Sequence, residues 1–252
     1  MIRKIKMIVS YDGTDFLGWQ IQKDDRTVAG VLESTYRRVF GEKISILGAS
    51  RTDSGVHALG QVAIFRTELE ILNEKMLFAW NASLPSSIVI RSLKDCTDDF
   101  HPFHRVLSKT YYYHVFLNRP LPFFARFGWR YPYSESLRMD VLSEALQLFV
   151  GTHDFGSFCT IDQDEPQDTI RTVQSIRLKK ISRFGLLQIA VVGKSFARFQ
   201  IRRMVGAALD VARRPELQAH EITKMLKNPN SNQSLVKAPA EGLCLRRIIY
   251  ED

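Results

Sequence analysis

Cysteine is scarce in this chain. Its 252 residues hold three, Cys96, Cys159 and Cys244, far apart and with no C-x-x-C pair. That excludes a zinc ribbon and a redox dithiol, and the odd count argues against a disulfide framework. Glycine-rich phosphate loops are missing too. Neither G-x-G-x-x-G nor G-x-x-x-x-G-K-[ST] occurs, so no nucleotide cofactor is expected. His101 and His104 lie near Asp98 and Asp99, but no matching distal pair accompanies them. They read as a loop, and no metal is expected. No apolar run approaches the ~18 residues of a membrane-spanning helix. The opening MIRKIKMIVS alternates charged and apolar residues where a signal peptide needs a continuous apolar stretch. No membrane partner and a cytoplasmic location are the expectations. At 45% hydrophobic and 25% charged residues, what remains is an ordinary globular composition.

What the chain has in excess is positive charge in one place. Lys and Arg number 35 against 27 Asp and Glu, a formal net charge of +8. Residues 171–214 carry eleven Lys/Arg and one acid, Asp210, so the rest of the chain is slightly negative. Residues 154–168 hold five carboxylates and no Lys or Arg. A clustered basic stretch is the footprint of a polyanionic partner, whether RNA, DNA or an anionic membrane. A solvated face without a partner is the plainer alternative.

Periodicity predicts the order of elements. Ile2–Tyr11 alternates as a strand. Val28, Val31, Leu32, Tyr36, Val39 and Phe40 recur at helical spacing, with Thr27 as cap. Short strands follow at Ile44–Leu47 and Gln61–Arg66, a helix marked by Met76, Leu77 and Trp80, and a strand at Ser87–Leu93. The second half gives a Tyr-rich strand over Ser108–Leu117 and a helix carrying Met139, Leu142, Ala145, Leu146 and Phe149. A hairpin of Thr172–Ile181 with Leu186–Val192 comes next, then helices at Phe196–Arg213 and Ile222–Leu226 and a strand at Leu243–Tyr250. Each half reads β-α-β-β-α-β. The expected class is α+β: two tandem ferredoxin-like units, residues 1–105 and 106–252, with a mainly antiparallel sheet and a cleft between the halves. The halves share topology without visible sequence identity.

The stretch richest in chemistry is Gly48-Ala-Ser-Arg-Thr-Asp-Ser-Gly-Val-His57, in a loop between two predicted strands. Asp53 before Ser54 and Gly55 fits a tight turn, and an Asp that only bonds its own turn is the competing reading. Arg51, two residues away, favours the ionised carboxylate. Such an Asp is a poor general acid and a candidate nucleophile or charge stabiliser. Arg51 is itself a candidate phosphate fork.

Gly48–His57 resembles the G-x-G-R-T-D-x-G-V-H-A signature of the TruA family of pseudouridine synthases. Four further stretches are similar to that family in order: Tyr11-Asp-Gly-Thr-Asp-Phe-Leu-Gly-Trp-Gln20, Phe100–His101 with Lys109-Thr-Tyr-Tyr-Tyr113, Ser195–Gly206, and Ala238-Pro-Ala-Glu-Gly-Leu-Cys-Leu245. The resemblance runs nearly end to end. It implies a pseudouridine synthase fold, with Asp53 as the catalytic aspartate and Tyr111 stacking on the target uracil. It further implies Arg202 paired with the catalytic carboxylate, Arg51 holding the RNA with its base turned out, and Leu245 as an apolar pocket wall. It implies an RNA-modifying isomerase without cofactors, acting on uridines 38, 39 and 40 in the anticodon stem-loop of tRNA, and a homodimer. Two positions depart from the pattern. Ser50 stands where Gly is usual, which would be strained if φ there is positive, and Ala29 replaces the usual Gln.

The implied reaction breaks the N1–C1′ bond of uridine and forms a C5–C1′ bond. Asp53 has three routes open: attack at C1′, addition to uracil C6, or removal of a ribose proton. Each needs a carboxylate kept ionised while desolvated, the task of an arginine partner. The base must also be extruded at a cost of about a few kcal/mol, against which stacking on an aromatic ring returns roughly 1–3 kcal/mol. Tyr111 and Tyr113 are expected on one face of their strand and Tyr112 on the other. Arg198 and Arg202 are expected to share one face of the Phe196–Arg213 helix and, with Arg203 and Lys194, to line a phosphate groove. The rival reading is an inert RNA-binding protein of two RRM-like units. It leaves Arg51-Thr-Asp53 unexplained, and no RNP1-like pattern is present. A metal-independent ribonuclease lacks a supporting His pair.

Overall fold

The computed structural model describes residues 2–23, 26–160, 168–230 and 233–251. Most of the acidic stretch 162–168 lies outside the described residues. The chain forms two compact units, residues 1–107 with 244–252, and residues 108–243. Among the described residues no helix is long and apolar enough to cross a membrane.

The first unit is built on β1 (Arg3–Tyr11), α1 (Val28–Phe40), β2 (Leu47–Gly48), β3 (His57–Thr67), α2 (Asn73–Ser83) and β4 (Ile88–Asp95), joined by β10 (Leu243–Tyr250). The strand order is β4-β1-β3-β10, with β2 paired to β3. Pairings are antiparallel except β3 with β10. Alternation in β1 buries Ile5, Met7, Val9 and Tyr11. The unit's aromatic core packs edge-on, Tyr36 to Trp80 at 4.7 Å and Phe65 to Trp80 at 5.4 Å. Thr27 caps α1 by accepting the Gly30 N–H at 3.3 Å, and Gly41 ends the helix at φ 76.

The second unit takes up most of β5 (Val106–Phe116), then β6 (Trp129–Arg130), α3 (Met139–Gln147), β7 (Gly151–Asp154), β8 (Ile170–Ile181), β9 (Leu186–Gly193), α4 (Gln200–Arg213) and α5 (His220–Lys227). Its strand order is β5-β9-β8-β7, antiparallel throughout, with β6 parallel to the end of β5. Helices α3 and α4 pack together, and Phe149, Phe155 and Phe158 fill the core. The mixed α+β class with a mainly antiparallel sheet matches the expectation.

Several elements differ from the periodicity reading. The strand at Leu243–Tyr250 groups by its contacts with the first unit, because Cys244 and Leu245 pair with His57 and Ala58. In the strand order β10 lies between β3 and β5. The second unit also carries the short strands β6 and β7, which periodicity does not predict. β2 is two residues long and lies at Leu47–Gly48. The helix expected from Phe196 begins at Gln200, because Phe199 adopts a left-handed backbone at φ 63 that breaks the helical run. Arg198 thus precedes the helix and shares no helical face with Arg202.

Candidate active site

The loop from Gly48 to Val56 is held from one side by residues 11–19. A turn closes at Asp53, whose carbonyl accepts the Val56 N–H at 3.1 Å, with Gly55 at φ 78 in the position that requires a positive angle. The Tyr11 hydroxyl and Thr52 Oγ1 are 2.7 Å apart, and the Trp19 N–H donates to the Thr52 carbonyl at 3.1 Å. The Phe16 carbonyl accepts from Gly55 N–H at 3.2 Å and from the Ser54 hydroxyl at 3.3 Å. The approach is so close that a Cβ on Gly13 would overlap the Val56 carbonyl. One on Gly18, itself at φ 92, would lie 2.7 Å from the Thr52 carbonyl oxygen. The Tyr11–Gln20 motif is therefore the clamp of the Asp53 loop.

Thr52 is buried in that clamp, while Arg51 is exposed and Asp53 half-buried. Ser50 is not among the residues with positive φ, so it carries no left-handed strain. Its peptide is gripped by the fully buried Gln61. The Gln61 side-chain carbonyl accepts the Ser50 N–H at 3.2 Å, and its amide donates to the Ser50 carbonyl. Sequence reasoning passed over Gln61. A lone amide inside the apolar run of β3 was the available signal, since a buried amide must find partners. Leu245, fully buried on β10, stands opposite Ala58 on the strand that leaves the loop.

In the second unit Arg202 is buried on α4. Its Nε donates to the Ala238 carbonyl at 2.8 Å, and the Ala238 N–H donates back to the Arg202 carbonyl at 3.2 Å. Gly206, one turn on, lets residue 236 lie against the helix, since a Cβ there would overlap the Val236 carbonyl. The Tyr113 hydroxyl donates to the Pro239 carbonyl at 2.8 Å. Burial pushes that phenol far above its usual range, with the Arg202 charge pulling the other way. The motifs at 109–113, 195–206 and 238–242 thus meet around one guanidinium. Tyr111 is buried with its ring edge-on to Phe196 at 5.5 Å, on the same strand face as Tyr113, while Tyr112 lies half-buried opposite. Lys109, two residues before Tyr111, is half-buried, and desolvation pulls its ammonium down to about 8.

Arg203 does not line a phosphate groove. It donates to the Cys159 carbonyl at 2.6 Å and to Thr160 Oγ1 at 3.3 Å, which ties α4 to the 155–160 segment. Lys194 and Arg198 are exposed. Among the described residues, no three His, Cys, Asp or Glu side chains gather as a metal site.

The family model described as tRNA pseudouridine synthase matches residues 7–103 and 145–251. Three relatives named tRNA pseudouridine synthase A are similar along their whole length. The Pseudothermotoga lettingae protein is 36% identical over 99% of this chain and 100% of its own. The Thermodesulfovibrio yellowstonii protein is 33% identical over 98% and 99%, and that of Geobacillus kaustophilus 38% identical over 100% and 96%. The first stretch of the family model includes Asp53 and the clamp, and the second Arg202 with Ala238, while Lys109, Tyr111 and Tyr113 fall between them. The chain belongs to the tRNA pseudouridine synthase family.

Proposed function

We propose that this chain isomerises uridine to pseudouridine at positions 38, 39 and 40 in the anticodon arm of tRNA, working as a cytoplasmic homodimer with Asp53 as its catalytic carboxylate. The observation that supports Asp53 most is the build of its loop. Three residues of the 11–19 segment, Tyr11, Phe16 and Trp19, bond the loop on either side of position 53, and Asp53 is half-buried. A reacting group gains most from being fixed before the substrate arrives.

Arg202 is the guanidinium we assign to keeping that carboxylate ionised. Its support is a buried charge anchored at Nε by a backbone carbonyl. Tyr111 offers the aromatic surface on which an extruded uracil stacks, Leu245 an apolar wall, and the exposed Arg51 a fork for the RNA backbone. In the reaction the N1–C1′ bond breaks and the C5–C1′ bond forms. The proton on C5 is lost and N1 regains one, so no oxidant or group donor enters. Asp53 acts at C1′, at C6 or on a ribose proton.

The test is Asp53→Asn on unmodified tRNA, with pseudouridine mapped by carbodiimide-blocked reverse transcription and binding followed by filter retention. Loss of product to background at positions 38–40, with affinity kept within about threefold, is the expected result. Activity and binding falling together would favour an inert RNA binder.

A further inference from the structure

Phe199 occupies a conformation that bulky residues avoid. Its φ is 63, and it immediately precedes α4. Such backbones persist where the surroundings over-determine them, and they gather at functional sites. Here the Ala197 N–H donates to Gln200 Oε1 at 2.8 Å, and the Phe199 carbonyl accepts the Arg203 N–H at 3.0 Å. The turn presents the Phe199 ring to three cations. Lys237 Nζ lies 4.4 Å from the ring centroid, the Arg198 guanidinium carbon 5.0 Å and the Arg202 guanidinium carbon 5.4 Å. All fall within the ~6 Å over which a cation is attracted to an aromatic face.

The three come from different places. Arg198 precedes the ring, Arg202 follows it by one helical turn, and Lys237 belongs to the segment bonded to Arg202 through Ala238. The ring is in contact with all of them. For Arg202 it adds a constraint. The Ala238 carbonyl holds Nε, and the ring lies 5.4 Å from the guanidinium carbon. A planar cation set against an aromatic face has its orientation narrowed further than by hydrogen bonds to its edge. We propose that Phe199 is a positioning residue for Arg202, its ring electrons setting the guanidinium in the orientation that the reaction uses. This rests on the reading of Arg202 given above.

The experiment replaces Phe199 by mono-, di- and trifluorophenylalanine, which keep ring size and the left-handed backbone while draining charge from the π face. Single-turnover pseudouridine formation at saturating tRNA should fall stepwise with fluorine count, by about tenfold at the third. Melting temperature and tRNA affinity should stay unchanged. Phe199→Gly, which relieves the backbone and removes the ring, should react about tenfold more slowly. Phe199→Trp should retain most of the rate. A flat fluorine series, with Arg202→Ala inactive, overturns the role of Phe199 alone. Parental turnover in Arg202→Ala overturns the reading of Arg202, and with it the need for any positioning.

Discussion

Lys109 shows how one side chain registers its surroundings. Burial favours the neutral amine, so its folded pKa of about 8 lies below the ordinary 10.5. The sign of the effect on stability follows from proton counts. Below about 8, folded and unfolded chains both hold the proton, and the penalty of burying charge is fully present. Between about 8 and 10.5 the unfolded chain holds a proton that the folded one has released, so stability rises with pH across that window. A side-chain NMR titration, with the resonance assigned by its loss in Lys109→Arg, should find a midpoint near 8. A midpoint at the ordinary lysine value would show that the amine is solvated. At this scale the motif residues were legible, because Asp53 in a Gly-bounded turn and Tyr111 in an alternating strand carry local signals. The tasks of Gln61 and of Ala238 within its motif were not. One works through its amide and the other through its backbone carbonyl, and each gains its meaning from a partner distant in sequence.

Helix α4 carries Arg202, and its two ends are secured differently. Phe199 starts it. At the other end Arg138, just before α3, donates to the carbonyls of Val211, Ala212, Arg214 and Leu217 at 2.9, 3.2, 2.6 and 2.8 Å. A cation that satisfies the last carbonyls of a helix also meets the negative end of its dipole. Arg138→Ala should lower stability by about 2–3 kcal/mol, read from urea or thermal unfolding. Arg138→Lys should recover less than half, since an ammonium cannot span the same carbonyls. A loss below 0.5 kcal/mol would mean that water replaces the cap without penalty. Periodicity located α4 and its end at Arg213 but not its start, because apolar spacing continues through Phe196 and Phe199 while the backbone does not. β7, Gly-Thr-His-Asp, escaped because its four residues carry no apolar alternation. The pairing of β10 with β3 escaped because it joins residues at opposite ends of the chain, which local periodicity does not encode.

Across the whole molecule, the basic stretch of residues 171–214 resolves into cations with different tasks. Arg202 and Arg203 are bonded internally, and Arg213 and Arg214 share Asp210. Arg177, Lys179, Lys180, Arg183, Lys194 and Arg198 are exposed. Arg171 pairs with Asp168. Five of the eleven cations are thus bonded within the chain, and the electrostatic footprint is carried mainly by the six exposed ones. If about four to six of them engage tRNA stems, the logarithm of the binding constant should fall against the logarithm of salt concentration with a slope near −4 to −5. Replacing Lys179 and Lys180 by Gln should flatten that slope by one to two units if both contact the backbone. A salt-independent affinity would remove this surface from tRNA binding.

The parallel seam of β10 on β3 has a consequence for biosynthesis. The ribosome delivers β3 early, but its neighbour on that side emerges only after every helix and strand of the second unit. A nascent chain must therefore carry an unfinished sheet edge beside the Asp53 loop throughout most of translation. Such edges invite pairing with other chains, and contacts so distant in sequence form slowly. Chaperone engagement should concentrate on this stage, and release should follow once the residues around Leu245 have cleared the exit tunnel.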